Sequence, residues 1–361
     1  MEFIRQHLKN VSVYQPGKPI EEVQRELGLE TVYKLASNEN PLGPSKKAVQ
    51  AMKNCAAGVH RYPDASCHYL RGELAGMLGV AENNLIFGNG SDEVIGFPMR
   101  AFVEPGQEVM VGSPTFLIYE IQAKALGLDV IISPLKNYRY DLDDMLARIT
   151  GRTRLIYIAN PDNPNGTYID HETMERFLKK LPEHVLVFLD EAYCEFAPED
   201  FPRSVELFKA GYNVIISRTF SKAYGLAGLR LGYACARPEL ISAMEKVREP
   251  FNVNLIVQEA ARAALADVEH LRKVLTLTAR EKNWLYRQLK KLRVEYVPSA
   301  TNFILMDIKR DASPVCDMLL RDGIIVRNMK GWGYATHIRV TPGTRKQNRA
   351  FIASLQKALN A

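Results

Sequence analysis

One lysine stands out by its surroundings. Lys222 lies in the run Arg218-Thr219-Phe220-Ser221-Lys222-Ala223-Tyr224-Gly225-Leu226-Ala227-Gly228-Leu229-Arg230, directly after the apolar stretch Val214 to Ser217. A lysine after a strand is usually a solvated charge. Here, among hydroxyls, glycines and apolar residues, its amine and the Arg230 guanidinium eight positions on can reach one anionic ligand. Asp190 is the second such residue. It ends the apolar run Val185 to Leu189 and opens Asp190-Glu191-Ala192-Tyr193. A carboxylate at the end of a buried strand needs a cationic or hydrogen-bonding partner. A protonated pyridine nitrogen would be one, and would keep a pyridine ring in its electron-accepting form.

Three further places follow or lie within strand-like runs. Leu85 to Phe87 leads into Gly88-Asn89-Gly90-Ser91-Asp92-Glu93 and then an apolar-periodic helix. Free N–H groups and the helix dipole favour a phosphate there, although Gly-Ser-Asp is also a common turn and N-cap. Leu155 to Ala159 leads into Asn160-Pro161-Asp162-Asn163-Pro164-Asn165-Gly166, where the prolines stiffen the loop and Asn163 can hold a ligand oxygen; a plain turn is the alternative. Arg339 lies inside the strand-like run His337 to Thr341, where it needs either a buried salt bridge or a substrate carboxylate gripped by both arms of the guanidinium.

These residues must be positioned by strands. From about Asn84 onward, seven short apolar runs alternate with amphipathic stretches: Leu85 to Phe87, Glu108 to Val111, Val130 to Ile132, Leu155 to Ala159, Val185 to Leu189, Val214 to Ser217 and Leu231 to Ala236. Several are apolar on both faces, as strands covered by helices on either side must be, so a mainly parallel α/β sheet is expected. Ligands of such a sheet sit beyond the carboxyl ends of its strands, which is where four of the five candidate places lie, Arg339 belonging to a later run. After Pro238 the pattern turns helical, with one long stretch from Val268 to Leu292. Short strands then recur at Val294 to Val297, Phe303 to Asp307, Ile324 to Arg327 and Ile338 to Thr341, with helices near Val315 to Arg321 and Arg345 to Leu359. This predicts a smaller α+β domain, with Pro41, Gly43 and Pro44 as the best hinge after the N-terminal arm.

Composition excludes several classes. The 361 residues, 47% of them hydrophobic, can bury a large core. A net charge of +6 from 47 basic and 41 acidic residues, well mixed, does not point to nucleic acid. Five scattered cysteines (Cys55, Cys67, Cys194, Cys235, Cys316) form no disulfide framework and suit a reducing cytoplasm. Met1 to Gln15 has neither a signal-peptide core nor a membrane span, so a soluble cytoplasmic protein is expected. The seven histidines show no metal-ligand spacing, and no metal is expected. Gly88-Asn89-Gly90 lacks the full dinucleotide fingerprint, and the lysine motif is no P-loop.

The motif Ser221, Lys222, Gly225, Gly228 and Arg230, spaced as S-x-K-x-x-G-x-x-G-x-R, resembles the cofactor-lysine motif of the fold-type-I, pyridoxal-phosphate-dependent aminotransferases; Asn163 and Asp190 match in order and spacing. More narrowly, Tyr14-Gln15-Pro16-Gly17-Lys18-Pro19, Ser37-Asn38-Glu39-Asn40-Pro41, Arg61-Tyr62-Pro63-Asp64, Asp190-Glu191-Ala192-Tyr193, Arg218-Thr219-Phe220-Ser221-Lys222 and Pro250-Phe251-Asn252 are similar to the subgroup that acts on histidinol phosphate. The resemblance covers essentially the whole chain. It implies a seven-stranded, mainly parallel sheet in a large cofactor-binding domain over residues 46–265. Residues 1–45 would form an N-terminal arm and part of the small domain, and residues 266–361 an interdomain helix and the small C-terminal α+β domain.

The resemblance also implies roles. Lys222 would carry pyridoxal phosphate as a Schiff base and move a proton between the substrate α carbon and the cofactor. Asp190 would pair with the pyridinium nitrogen, Asn163 and Tyr193 would hold the ring hydroxyl oxygen, and Phe116 would stack on the ring. Ser91, Asp92, Ser221 and Arg230 would cradle the phosphate, with Tyr62 reaching it from the neighbouring subunit of a homodimer. Tyr14, Arg327 and Arg339 would bind the phosphate of histidinol phosphate, or the carboxylate of glutamate in the other half of a ping-pong cycle. One departure is visible: the family's usual loop reads Pro-Asn-Asn-Pro-Thr-Gly, whereas here Asp162 and Asn165 intervene. An extra anionic side chain beside an anion site is expected to alter substrate preference. The competing readings are an aromatic amino-acid aminotransferase, a decarboxylase of a phosphorylated amino acid, a cofactor-binding sensor that regulates transcription, for which no DNA-binding module has room, and a chain of this fold that has lost activity.

Overall fold

The structure is a computed structural model and describes residues 3–360. Met1, Glu2 and Ala361, the extreme ends of the expected arm and small domain, lie outside the described residues. Along the chain the strands are β1 (Tyr33–Lys34), β2 (Leu85–Gly88), β3 (Glu108–Ser113), β4 (Asp129–Pro134), β5 (Thr153–Ala159), β6 (Leu186–Asp190), β7 (Val214–Thr219), β8 (Gly232–Cys235), β9 (Glu295–Tyr296), β10 (Ile304–Asp307), β11 (Ile324–Ile325), β12 (Arg327–Asn328) and β13 (His337–Val340).

β2 to β8 form one seven-stranded sheet in the order β2-β8-β7-β6-β5-β3-β4. Only β8 runs against the others, pairing antiparallel with both β2 and β7. The expected α/β sheet is therefore present, and the apolar runs read from the sequence are its strands. Successive side chains leave a strand on opposite faces. Ile156, Ile158, Val187, Leu189 and Ile216 accordingly pack in the core on one side, while Leu155, Tyr157, Ala159, Phe188 and Ile215 pack in the core on the other. Two-sided burial is what makes these runs continuously apolar instead of alternating.

The other sheets are smaller. β12, β13, β10 and β9 form an antiparallel sheet, and β1 pairs with β11 in parallel. The 24-residue helix Val268–Lys291 is started by the Asp267 side chain, which accepts from the His270 N–H. Its Leu285 and Leu289 pack with Phe351 and Leu355 of the C-terminal helix Arg345–Asn360 against β10 and β13.

One expectation needs correcting. The apolar pattern predicts a single strand over Ile324 to Arg327, yet the chain divides there. Ile324 and Ile325 pair with Tyr33 and Lys34, whereas Arg327 and Asn328 pair with Arg339 and Ile338. The apolar pair fills a core while Arg327 crosses to the polar side, which an apolar run followed by one arginine does not announce.

Candidate active site

The carboxyl ends of β2, β3, β5, β6 and β7, with the amino end of the reversed β8, share one edge of the sheet. Asp190 is in register with Ala159 and Ser217, and Gly232 with both Gly88 and Thr219. The loops leaving these ends enclose a cavity of ≈ 240 Å³, lined by Tyr14, Ser91, Asp92, Phe116, Asn163, Asp190, Tyr193, Ser221, Lys222, Arg230, Arg327 and Arg339 among others. Twelve of the thirteen expected site residues therefore meet in one place. Tyr62 is the exception: it is 84% exposed, stacks on Phe251 at 4.7 Å and does not line the cavity.

The Lys222 side chain is half-buried in the cavity wall. Its Nζ lies 3.5 Å from the Ser37 carbonyl and 5.7 Å from the centre of the Tyr193 ring. Burial first, and then the positive charge of Arg339, lower its pKa to about 8. Asp190, at the end of β6, is 5% exposed and accepts from Tyr119 Oη at 2.7 Å and from the Ala192 N–H at 3.2 Å. Burial pushes it up to about 6 against the pull of the Tyr119 hydrogen bond. Tyr193 Oη accepts from Asn38 Nδ2 at 2.8 Å, and burial raises this phenol to about 12, so it stays protonated.

At one end of the cavity is an anion cradle. Gly90, at φ 83°, turns the chain from β2 into the helix Ser91–Phe102, whose first N–H groups are left free. Arg230, itself at φ 61°, points Nη2 to within 3.2 Å of Asp92 Oδ2. A Cβ at Gly90 would collide with the Arg230 guanidinium, and one at Gly232 with the backbone of Gly90 and Ser91. The two glycines let the Arg230 guanidinium and the start of the helix approach each other this closely.

At the other end are two cations. Arg339 is 5% exposed, with Nη1 donating to Asn163 Oδ1 and Nη2 to the Ala36 carbonyl at 3.0 Å; among the described residues its Nε finds no acceptor. Burial lowers its pKa. Arg327 is its cross-strand neighbour on β12, with its guanidinium 5.0 Å from the Trp332 ring and 5.7 Å from Tyr14. No acidic side chain pairs with either among the described residues, so an anionic ligand would find uncompensated positive charge.

Asp162 differs from expectation. Its side chain does not face the cavity but is buried between loops, accepting from Thr115, Tyr140 and Asn165. No extra negative charge stands beside the arginines.

Sequence reasoning missed two supports. Tyr119 sits in an amphipathic stretch, Ile118–Ala125, that looks like any helix. Asn38, at φ 57°, belongs to the polar run Ser37 to Pro41, the only signal of its role.

The chain belongs to the aminotransferase class I and II family, whose model matches residues 30–355 and so spans every element that brings Asp190, Lys222 and Arg339 to this cavity. Within that family it is 49% identical, over 98% of this chain and 92% of the relative, to the histidinol-phosphate aminotransferase of Moorella thermoacetica. It is 43% identical to histidinol-phosphate aminotransferase 2 of Carboxydothermus hydrogenoformans, over 99% of each. The crystal structure of histidinol-phosphate aminotransferase from Sinorhizobium meliloti in complex with pyridoxal 5'-phosphate superposes with a TM-score of 0.91 at 32% identity, covering 100% of this chain and 98% of that one.

Proposed function

We propose that this protein transfers the amino group of L-histidinol phosphate to 2-oxoglutarate, giving imidazole-acetol phosphate and L-glutamate, with pyridoxal 5'-phosphate as cofactor. This is a step of histidine biosynthesis. The observation that carries the reading is the pairing of Lys222 and Asp190 at the cofactor end of the cavity with Arg327 and Arg339 at the other, in a chain close in sequence to histidinol-phosphate aminotransferases along its whole length.

The donors suit the cofactor group by group. The N–H groups at Ser91 and Asp92, the Ser221 hydroxyl and Arg230 match a phosphate. Asp190 matches a protonated ring nitrogen, Asn163 and Tyr193 a ring hydroxyl oxygen, Phe116 a ring face, and the Lys222 amine an aldehyde. When bound, the cofactor supplies an electron-poor ring that takes up the electron pair left at a substrate carbon. Asp190 holds the proton on the ring nitrogen, and the ring's positive charge would in turn draw the carboxylate back to its ionised form. Lys222, once displaced by substrate, moves the proton at the α carbon through Nζ. Arg339 and Arg327 orient the far end of either substrate, a phosphate or a carboxylate, so one pocket serves both halves of the cycle.

The finer expectations remain part of the proposal: a homodimer with Tyr62 completing the neighbour's phosphate cradle, a cytoplasmic location, and a division into residues 1–45, 46–265 and 266–361. No described helix is long and apolar enough to cross a membrane. Phe116 and Tyr14, which line the cavity, also suit an aromatic amino acid, and this is the second reading. Presenting the glutamate-loaded protein with imidazole-acetol phosphate, phenylpyruvate and 2-oxoglutarate separates the two. Turnover of phenylpyruvate ahead of imidazole-acetol phosphate would refute the proposed substrate.

A further inference from the structure

The two departures from the family's usual loop touch each other. Asp162 Oδ2 accepts from Asn165 Nδ2 at 2.5 Å and from the Asn165 N–H at 3.2 Å. Asp162 Oδ1 accepts from Thr115 Oγ1 at 2.5 Å and from Tyr140 Oη at 3.2 Å. Four donors thus converge on one carboxylate that is 1% exposed, and none of them is a cation. Burial pushes Asp162 up to about 6 against those hydrogen bonds. Keeping an uncompensated carboxyl group inside a protein is costly, so what it organises matters.

It organises both walls of the cavity. Thr115 immediately precedes Phe116, and Asp162 immediately precedes Asn163. Asn165 donates to the Pro114 carbonyl at 3.0 Å and accepts from Tyr334 Oη at 2.9 Å, while the Thr115 carbonyl accepts from Trp332 Nε1 at 3.0 Å. Trp332 in turn lies against the Arg327 guanidinium. One buried node therefore ties the Phe116 loop, the Asn163 loop and the segment under Arg327.

We propose that Asp162 and Asn165 act as a matched positioning pair, in which the carboxylate holds the Phe116 and Asn163 loops in register across the cavity. The inference rests on the proposed function for what those loops hold, but the pairing is a property of the chain. The match follows from donor arithmetic. A carboxylate only accepts; the Asn165 side-chain amide and backbone N–H only donate to it, while the Thr115 and Tyr140 hydroxyls can donate to it and also to each other. An asparagine at 162 would turn an NH2 group either toward the Asn165 amide and N–H, leaving donors face to face, or toward Thr115 and Tyr140, whose hydroxyls lie 2.9 Å apart and would then have to accept, leaving one hydroxyl proton without its carboxylate acceptor. A threonine at 165 would keep the backbone N–H but replace the side-chain amide donor with a hydroxyl that can accept from that NH2 group.

The test uses full-length Asp162→Asn, Asn165→Thr and the double variant. Affinity for pyridoxal phosphate is read by titrating the apoprotein and following Trp fluorescence, alongside the visible circular dichroism of the bound cofactor and kcat and KM for histidinol phosphate. Asp162→Asn is expected to weaken cofactor binding about tenfold, to alter the dichroism and to lower kcat about tenfold, the scale of one buried donor left unpaired. Asp162→Asn/Asn165→Thr is expected to return within about threefold of the wild type, the signature of coupled neighbours. If Asp162→Asn folds poorly, Thr115→Val removes one donor from the same carboxylate and is expected to shift the dichroism in the same sense. A lowered Tm with cofactor affinity, dichroism and kcat unchanged would overturn the proposal, as would additive losses in the double variant. A wild-type protein that binds the cofactor but does not turn over histidinol phosphate would refute the proposed substrate, and the titrations would still decide the role of the pair.

Discussion

Tyr119 donates its hydroxyl proton to Asp190 across 2.7 Å inside the sheet's helical cover, and its ring is stacked on Tyr157 at 4.9 Å. A residue fixed by packing thus sets the orientation of the carboxylate that faces the cavity. The two positions should separate cleanly. Asp190→Asn removes the charge that would hold a ring proton, and turnover should fall by about 100-fold or more. Tyr119→Phe leaves the charge with the Ala192 N–H as its remaining donor, so turnover should fall by less than about tenfold while stability drops by about 1.5–3 kcal/mol, as for a hydrogen bond to a charged group. Single-turnover rates with glutamate and thermal melts of both variants check this. Equal losses of turnover in the two would mean that orientation, and not charge, is what Asp190 contributes.

Lys222 makes a pH prediction. Its pKa in the fold is about 8, below the ordinary lysine value of 10.5. The unfolded chain therefore binds more protons between those values, and this group's contribution to stability rises with pH from about 8 to 10.5 and is constant below 8. The same shift leaves roughly a tenth of the amines neutral at pH 7, against about one in three thousand for an unperturbed lysine. Attachment of pyridoxal phosphate to the apoprotein should then speed up about tenfold per pH unit below 8 and level off above it. A rate still climbing past pH 9 would contradict this. Lys222→Ala should retain no borohydride-trapped cofactor.

Gly232 tests the phosphate cradle without touching a charged group. A methyl group there would press on the backbone of Gly90 and Ser91, where the helix Ser91–Phe102 begins. Gly232→Ala should push that helix end away from the cavity, an overpacking cost of about 1–3 kcal/mol. The loss should appear in the preference for pyridoxal phosphate over pyridoxal, shrinking about tenfold or more, because only the former uses the cradle. A preference unchanged beside a weakened fold would show that no phosphate is held there.

The fold was legible because two-sided burial writes itself as apolar runs: Val187, Leu189 and Ile216 fill one core while Phe188 and Ile215 fill the other, and none of these strands has a polar face to confuse. Most of the site was legible because it sits at strand ends, so Asp190, Lys222 and Asn163 each interrupt a hydrophobic pattern. What could not be read was geometry across the chain. Nothing in Ile118-Tyr119-Glu120 marks Tyr119 as the partner of Asp190, 71 residues on. Asp162 looked like a charge on the cavity wall, because sequence places it beside Asn163 but cannot say that successive side chains in that loop point opposite ways. Arg327 was singled out through resemblance, yet only the division of its strand brings it opposite Arg339.

That cross-strand pair of arginines carries the last prediction. Arg339 is held at three points, by Asn163, by the Ala36 carbonyl and by the face of Phe303 at 5.0 Å, so its guanidinium is already aimed when a ligand arrives. Arg327 is held less tightly, between two rings and the Gln15 carbonyl. A carboxylate carries one charge and can be satisfied by the forked grip of Arg339 alone, whereas a phosphate near its second ionisation carries almost two and gains from both cations. Arg339→Ala should therefore raise KM for glutamate and for histidinol phosphate together, each by about 100-fold, the scale of a lost charge-assisted pair. Arg339→Lys should recover little, since a single ammonium cannot reproduce the fork. Arg327→Ala should discriminate, raising KM for histidinol phosphate about tenfold more than KM for glutamate. Equal effects of Arg327→Ala on the two substrates would mean that the second cation serves the fold of the pocket and not the charge of the phosphate.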